Sequence, residues 1–484
     1  MALALPALLC IASGLALVSL GWSRRAPLAS DLMLRASMSV GYGLGIFSVV
    51  FFLSRIYGVT NLLAVDFPVL ALLLASFFLL RTRAITGGAF SPSRANLAGP
   101  KWVHRILTSA FAIALCAALY SAVLRTLAHP HGEGWDAFAI WNLHARFLFR
   151  AGPHWRDGFS ALIPWSHPDY PLLLPAAVAH FWTYLGHDDP AVPALISFLF
   201  TFSTVGILFS ALSILSGRTP AMLGGLTLLT TPFFIEQGTS QYADVPLSFF
   251  FLATVALLCL HDHDSGNVPP SPFLLVLAGL AAGFAAWTKN EGLLFLCAIL
   301  VARFLILIRP RSRRDASHHP PQASPHENWM ALALFIAAVA PAFLLIAWYK
   351  LSSASPSDLF SDPATTLHRM LEPARYWAII KWYAKGFFRF GHWLLIPGTL
   401  LLVGFYFAAG GKERAKRAPG FRCSVLALAL TLTGYFAVYL ITPYDIYWHL
   451  RFSLSRLFLQ LWPSAIFLFF LAVPGRADTP VPSP

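Results

Sequence analysis

The chain has 484 residues, 57% of them hydrophobic and 11% charged, with a formal net charge of +13 and a mean hydropathy of +0.66. Such a composition excludes a soluble globular domain and a disordered chain, and leaves a polytopic membrane protein. The cations do not mark a nucleic-acid binder, because they cluster in short loops between apolar runs and not on one soluble face.

Runs apolar enough to span a bilayer, or nearly so, recur at 2–20, 37–56, 62–80, 105–128, 191–215, 221–235, 245–260, 272–288, 292–308, 329–348, 391–409, 423–441 and 457–473. A spanning backbone must satisfy its own hydrogen bonds, and runs of about 17 to 25 residues without alternation argue helices over a β-barrel. The sequence therefore predicts an all-α integral membrane fold of thirteen transmembrane helices. Three of these occupy 1–104, the other ten lie within 105–473, and 474–484 are expected to form a cytoplasmic tail. Residues 1–20 lack a basic n-region and precede Arg24 and Arg25, so they are expected to be a retained span and not a cleaved signal. The five cysteines sit in or beside apolar runs with no CxxC spacing, so neither a disulfide framework nor a zinc site is expected.

Loops 21–36, 81–105, 309–328 and 410–422 hold half of all lysines and arginines, whereas the short loops 57–61 and 236–244 hold none. The positive-inside rule makes the first set cytoplasmic. It puts the N-terminus outside, the C-terminus inside, and loops 129–190, 236–244, 349–390 and 442–456 on the extracytoplasmic face. The 309–328 loop is rich in Pro, Ser and His and is expected to be a flexible linker, although its histidines leave metal binding open. The apolar run 171–186 is short and Pro-flanked. If it spanned, the later basic loops would face outwards, so it is expected to be re-entrant or interfacial.

Polar residues then collect on one face of the bilayer. Asp136 ends Gly-Glu-Gly-Trp-Asp and precedes a helix expected over 137–150. Glu236 and Asp244 bracket a short loop, Lys289, Asn290 and Glu291 break two apolar runs, and His449, Arg451 and Arg456 lie in YDIYWHLRFSLSR. Ionisable groups at membrane depth are costly and face a cavity or a partner, so several at one depth suggest a polar pocket. Each also has a structural alternative. Asp136 and Asp244 suit helix caps as well as chemistry. Lys289 and Glu291 suit an ordinary ion pair, and Arg451 suits a cation snorkelling to headgroups. His167 and Asp169 in SHPDYP suit either sugar hydroxyls or the bracing of a Pro-rich turn.

In loop 349–390, Lys381, Lys385 and Arg389 recur at four-residue spacing beside an apolar stripe of Trp377, Ile380, Ala384 and Phe387, the pattern of an interfacial helix. Its cations touch lipid phosphates generally or capture one in particular. No P-loop, dinucleotide fingerprint, HExxH or GxSxG motif is present.

Taken in order, Trp135-Asp136 in the first large external loop, Tyr242-Ala243-Asp244-Val245-Pro246-Leu247 opening a later span, Thr288-Lys289-Asn290-Glu291-Gly292 and the late Arg451 resemble the GT-C superfamily of membrane glycosyltransferases, which includes protein O-mannosyltransferases and bacterial aminoarabinose transferases. The resemblance covers roughly 105–473. It departs from that pattern at Asp136, which is followed by Ala137 and has no second acid beside it. The resemblance implies an enzyme of a bacterial-type cytoplasmic (inner) membrane, acting on its extracytoplasmic face. It would transfer a sugar from a polyprenyl-phosphate donor to an acceptor hydroxyl of a lipid, glycan or protein, with inversion if there is a single displacement. The missing acidic pair at Asp136 argues against a metal-bound site, so no cofactor is expected, with a divalent metal left open. Asp136 and Asp244 are then the expected catalytic residues, and Glu236, Lys289, Glu291, Arg451, His449, His167 and Asp169 the expected substrate-binding ones. Membrane lipids are the other expected partners, and no nucleic acid. A transporter or flippase of a lipid-linked sugar is the competing class, since many spans with buried charges describe transporters too.

Overall fold

The computed structural model describes residues 3–22, 28–83, 101–262, 271–308, 325–360, 363–408 and 418–473. The tail 474–484 and most of the 309–328 and 410–422 loops lie outside the described residues. Helices stand at all thirteen expected places: α1 (Ala4–Ser19), α2 (Leu28–Ile56), α3 (Leu63–Arg83), α4 (Lys101–Ala128), α7 (Ala191–Leu215), α8 (Arg218–Leu229), α10 (Asp244–His261), α11 (Pro272–Thr288), α12 (Asn290–Ile308), α13 (Pro325–Ser352), α16 (Gly398–Ala408), α17 (Pro419–Ile441) and α18 (Ile446–Ala472). Among the described residues nine are long and apolar enough to cross a membrane, and α1, α8, α11 and α16 fall short. The expected span 221–235 is broken. Thr230 and Thr231 leave the helix, and Pro232, which has no N–H to continue α8, opens α9 (Pro232–Thr239) instead. The span expected from 391 starts only at Gly398, behind Pro397.

Helix α10 is the axis of the bundle, with 94% of its span buried against 6% for α3. It is apolar on every side, the pattern of a helix surrounded by others, and it packs on α7, α11, α17 and α18. Helix α2 is built into the same core. Trp287 Nε1 donates to Ser48 Oγ at 3.0 Å, and the Phe52 ring meets Trp155 and Trp287, each at 5.4 Å.

The segment 129–190 holds α5 (Asn142–Arg150) and α6 (Leu173–Leu185). The expected helix over 137–150 forms, but its first turn, Ala137–Trp141, is a π-turn. Helix α6 has the run from Leu173 to Trp182 buried, packs on α2 and α5, and ends on Gly186 in the left-handed region. It is therefore enclosed by protein and, at 13 residues, is shorter than the candidate spans.

The bundle ends differ. At one, segments 129–190, 236–244, 289–291, 349–350 and 456–460 interlock. At the other, Ser271 Oγ donates to Gly21 O at 3.3 Å, and the Gly420 backbone lies against Asp262.

Candidate active site

The polar end is organised by α18. His449, Ser453, Arg456 and Gln460 recur at four-, three- and four-residue steps, which places them along one face of the helix. Arg456 is the hub. Its Nε donates to Asp244 Oδ2 and its Nη1 to Asp136 Oδ2, both at 2.7 Å, while its guanidinium lies 4.7 Å from the centre of the Tyr242 ring. Asp244 is wholly buried. Its Oδ1 accepts from Lys289 Nζ at 3.1 Å and from Gln460 Nε2 at 2.6 Å, and Tyr435 OH in turn donates to Gln460 Oε1. Lys289 also pairs with Glu291 at 2.8 Å. The outcome is one chain of charges, Asp136, Arg456, Asp244, Lys289 and Glu291, drawn from four separate parts of the sequence. Burial works against the charge on Lys289, but the Asp244 and Glu291 carboxylates more than offset it and hold its pKa above the ordinary lysine value.

Asp136 reaches this chain because of its turn. Gly132 and Gly134 both have positive φ, and a Cβ at either would stand 2.4 Å from Ala137 Cβ or 2.5 Å from Tyr242 OH. Only glycine satisfies both constraints. Asp136 has helical φ and ψ and makes no capping hydrogen bond, so its carboxylate serves Arg456 and not the helix end. Asp244 likewise lies in the first turn of α10 with its carboxylate turned to side chains. For neither acid is helix capping the explanation of its place.

Beside this chain lies a second polar group. Asn290 Nδ2 donates to Asp169 Oδ2 at 2.7 Å, and Lys350 Nζ donates to Asn290 Oδ1 at 2.9 Å and to Asp169 O. Tyr349 OH fixes the turn from α13 by donating to Pro168 O at 2.9 Å. His167, left-handed at φ 50°, stacks on Tyr170 at 4.6 Å. Tyr170 stacks on Trp141 at 5.6 Å and lies 5.8 Å from Lys289 Nζ. Burial, with the Glu291, Asp169 and Asp136 carboxylates nearby, pushes the Tyr170 phenol well above its usual pKa.

The structure thus unites Asp136, Asp244, Lys289 and Glu291 and sets Asp169 and His167 against them. His449 Nδ1 meets Thr442 Oγ1 at 2.8 Å on the α18 side. It does not bring in Glu236 or Arg451. Glu236 meets His392 Nδ1 at 3.1 Å, with Arg125 3.9 Å away, and the His392 contact above all lowers its pKa. Arg451 is exposed on another face of α18, beside Phe452. The residues missed from sequence are Arg456 as the hub, Gln460, Tyr435, Lys350 and Tyr170. The polar stripe of α18 was the available signal for the first two. Among the described residues no three His, Cys, Asp or Glu side chains are grouped to hold a metal ion.

The described residues are all-helical, and the connected ion pairs of Asp136, Arg456, Asp244, Lys289 and Glu291 gather at one end of the bundle. The family model of the dolichyl-phosphate-mannose-protein mannosyltransferases matches residues 166–345. The match takes in Asp169, Asp244, Lys289 and Glu291, whereas Asp136 and Arg456 lie outside it. No curated protein and no solved structure matches the chain.

Proposed function

We propose that this protein transfers a sugar from a polyprenyl-phosphate carrier to an acceptor hydroxyl on the extracytoplasmic side of the membrane. The observation that carries the proposal is the chain of ion pairs at one end of the bundle, within and around a segment matched by a lipid-phosphate-sugar transferase family. Asp136, with 23% of its side chain exposed, is the group able to take the acceptor's proton. Asp244 is wholly buried and has three donors on its carboxylate. It acts through Arg456 and Lys289 as a positioning residue and does not touch substrate. The leaving phosphate departs as an anion, so cations serve it better than a general acid. In this reading His167, Asp169 and Glu291, beside the charge chain, supply sugar-binding groups. A single displacement inverts the anomeric carbon. The lack of a second acid beside Asp136 supports a reaction without a metal.

The test is to incubate the purified full-length protein in nanodiscs with a labelled polyprenyl-phosphate sugar, with and without chelator. Sugar transfer or release of free carrier, insensitive to chelator, is expected. Movement of intact donor across vesicles without cleavage would make the protein a transporter. Cysteine labelling in intact cells at Ser160 tests the face, and protection there would reverse it.

A further inference from the structure

The five-member charge chain leaves Asp136 occupied in the resting protein. Its Oδ2 is bonded to Arg456 Nη1 at 2.7 Å, so the carboxylate is held against the guanidinium and a hydroxyl meets that oxygen in competition with Arg456. The two carboxylates on Arg456 are unequal. Asp244 is fully buried, has Lys289 and Gln460 as further donors, and holds the inner Nε edge. Asp136 is partly exposed and holds only the outer Nη1. The remaining nitrogen, Nη2, makes no hydrogen bond among the described residues, and the side chain keeps 18% exposure. Arg456 is therefore anchored at its root and presents a free guanidinium corner next to the base.

Resting on the function proposed above, we propose that Arg456 is a donor-operated latch on Asp136: the phosphate of the incoming lipid-linked sugar draws the outer edge of the guanidinium away and so frees the base only when donor is in place. A phosphate matches the guanidinium fork with two parallel hydrogen bonds, where Asp136 supplies one. In the donor the phosphodiester carries one negative charge. As the bond from the anomeric carbon to the phosphate oxygen breaks, its electron pair stays on that oxygen and the phosphate gains a second charge. The acceptor oxygen forms the new bond to the anomeric carbon, and its proton goes to Asp136. The hold of Arg456 on the phosphate thus grows through the step, which is the condition for an interaction to accelerate it. Without donor, Asp136 stays paired with Arg456 through Oδ2.

The latch has a consequence that a structural ion pair lacks: removing the acid must improve phosphate binding. The experiment measures affinity of the purified full-length protein for a short-chain polyprenyl monophosphate, alongside inorganic phosphate. Asp136→Asn should bind the lipid phosphate about three- to tenfold more tightly, the factor expected when a competing, partly buried ion pair is removed. Arg456→Gln should bind it at least about tenfold more weakly, and adding Asp136→Asn to Arg456→Gln should restore nothing. Should Arg456→Gln not fold, the Asp136→Asn arm decides alone, because that side chain lies at the rim. Wild-type binding with no tightening in Asp136→Asn overturns the latch and leaves the transferase reading standing. No binding by wild type overturns both. Inorganic phosphate binding as tightly as the lipid and tightening equally would make this a free-phosphate site, and would overturn the donor's part.

Discussion

Arg456 and Arg451 lie five residues apart on α18, about 140° around the helix, and their surroundings share almost nothing. Arg456 faces inward to two carboxylates and a tyrosine ring. Arg451 faces outward into a groove of about 670 Å³ that it lines with Trp382, Lys385, Tyr447, Trp448 and Phe452. The groove lies between α18 and α15 (Pro373–Arg389), which buries Ala378 and Ile379 and leaves Trp377, Ile380 and Phe387 exposed. Lys381 and Lys385 rest on the rings of Trp377 and Trp382 at 5.1 and 5.0 Å. A helix thus forms where the sequence predicted one, and its exposed face carries cations over aromatic rings. Charges in the cluster are fixed by partners and act at low dielectric. Those in the groove are adaptable and screened. The same residue type therefore joins a buried chain of ion pairs in one place and lines a surface groove in the other.

The largest break in the comparison is expected at Asp136. Asp136→Asn keeps the shape but removes the negative charge that pairs with Arg456 and, with it, the ability to take a proton. Transfer should fall about 10²- to 10⁴-fold, with the thermal midpoint nearly unchanged. Retention of more than about a third of wild-type transfer, well outside that range, removes Asp136 from the chemistry.

Lys289→Met comes next. It strips Glu291 of its cation and Asp244 of one of three donors. Loss of a partner from a buried pair costs about 3–5 kcal/mol, read as a lowered denaturation midpoint together with reduced turnover. Lys381→Met, on the exposed helix, should stay within about 0.5 kcal/mol. Equal and small effects from the two would reduce Lys289 to an ordinary surface-type pair.

A third case is a buried base with no carboxylate partner. His144 is wholly buried, its Nε2 meets Ser166 Oγ at 3.3 Å, and burial lowers its pKa to about 3, with His167 adding to the shift. It stays neutral in the folded protein while the unfolded chain takes up a proton near pH 6.5. Between these values the unfolded state binds more protons, so stability rises with pH and is lost as pH falls, by up to about 1.4 kcal/mol per unit from this group. His144→Phe should flatten that part of a stability-against-pH profile. An unchanged slope would assign the acid sensitivity to other groups.

The groove should give the smallest effect. Lys385→Gln with Arg451→Gln is expected to raise the KM for lipid-linked donor about three- to tenfold at low salt and far less at high salt, the signature of screened charges. A salt-independent loss as large as that of Lys289→Met would mean that the groove holds a desolvated phosphate.

Much of this was visible in the residues themselves. Hydrophobic runs fixed where helices form, because lipid tolerates no unpaired backbone, and the lopsided distribution of lysine and arginine predicted which loops share a bundle end. Gly-Glu-Gly-Trp-Asp, Asp244 and Thr-Lys-Asn-Glu-Gly were recognisable because polar residues in apolar surroundings are expensive. What sequence left open at Asp136 and Asp244 was the choice between capping and chemistry, since both call for the same residue type at a helix start. That choice depends on what stands across from the carboxylate, and the facing groups, Arg456 and Lys289, come from parts of the chain 320 and 45 residues away. Glu236 and Arg451 show the converse. Each lies close in sequence to a member of the cluster, yet the helical rotation and the positions of His392 and Lys385 turn them elsewhere. Composition and periodicity thus determined a helical membrane protein and its polar end. Only the packing of α10, α11, α12 and α18 decided which charges meet, because a side chain's partner is set by helix rotation and depth, which one-dimensional spacing does not contain.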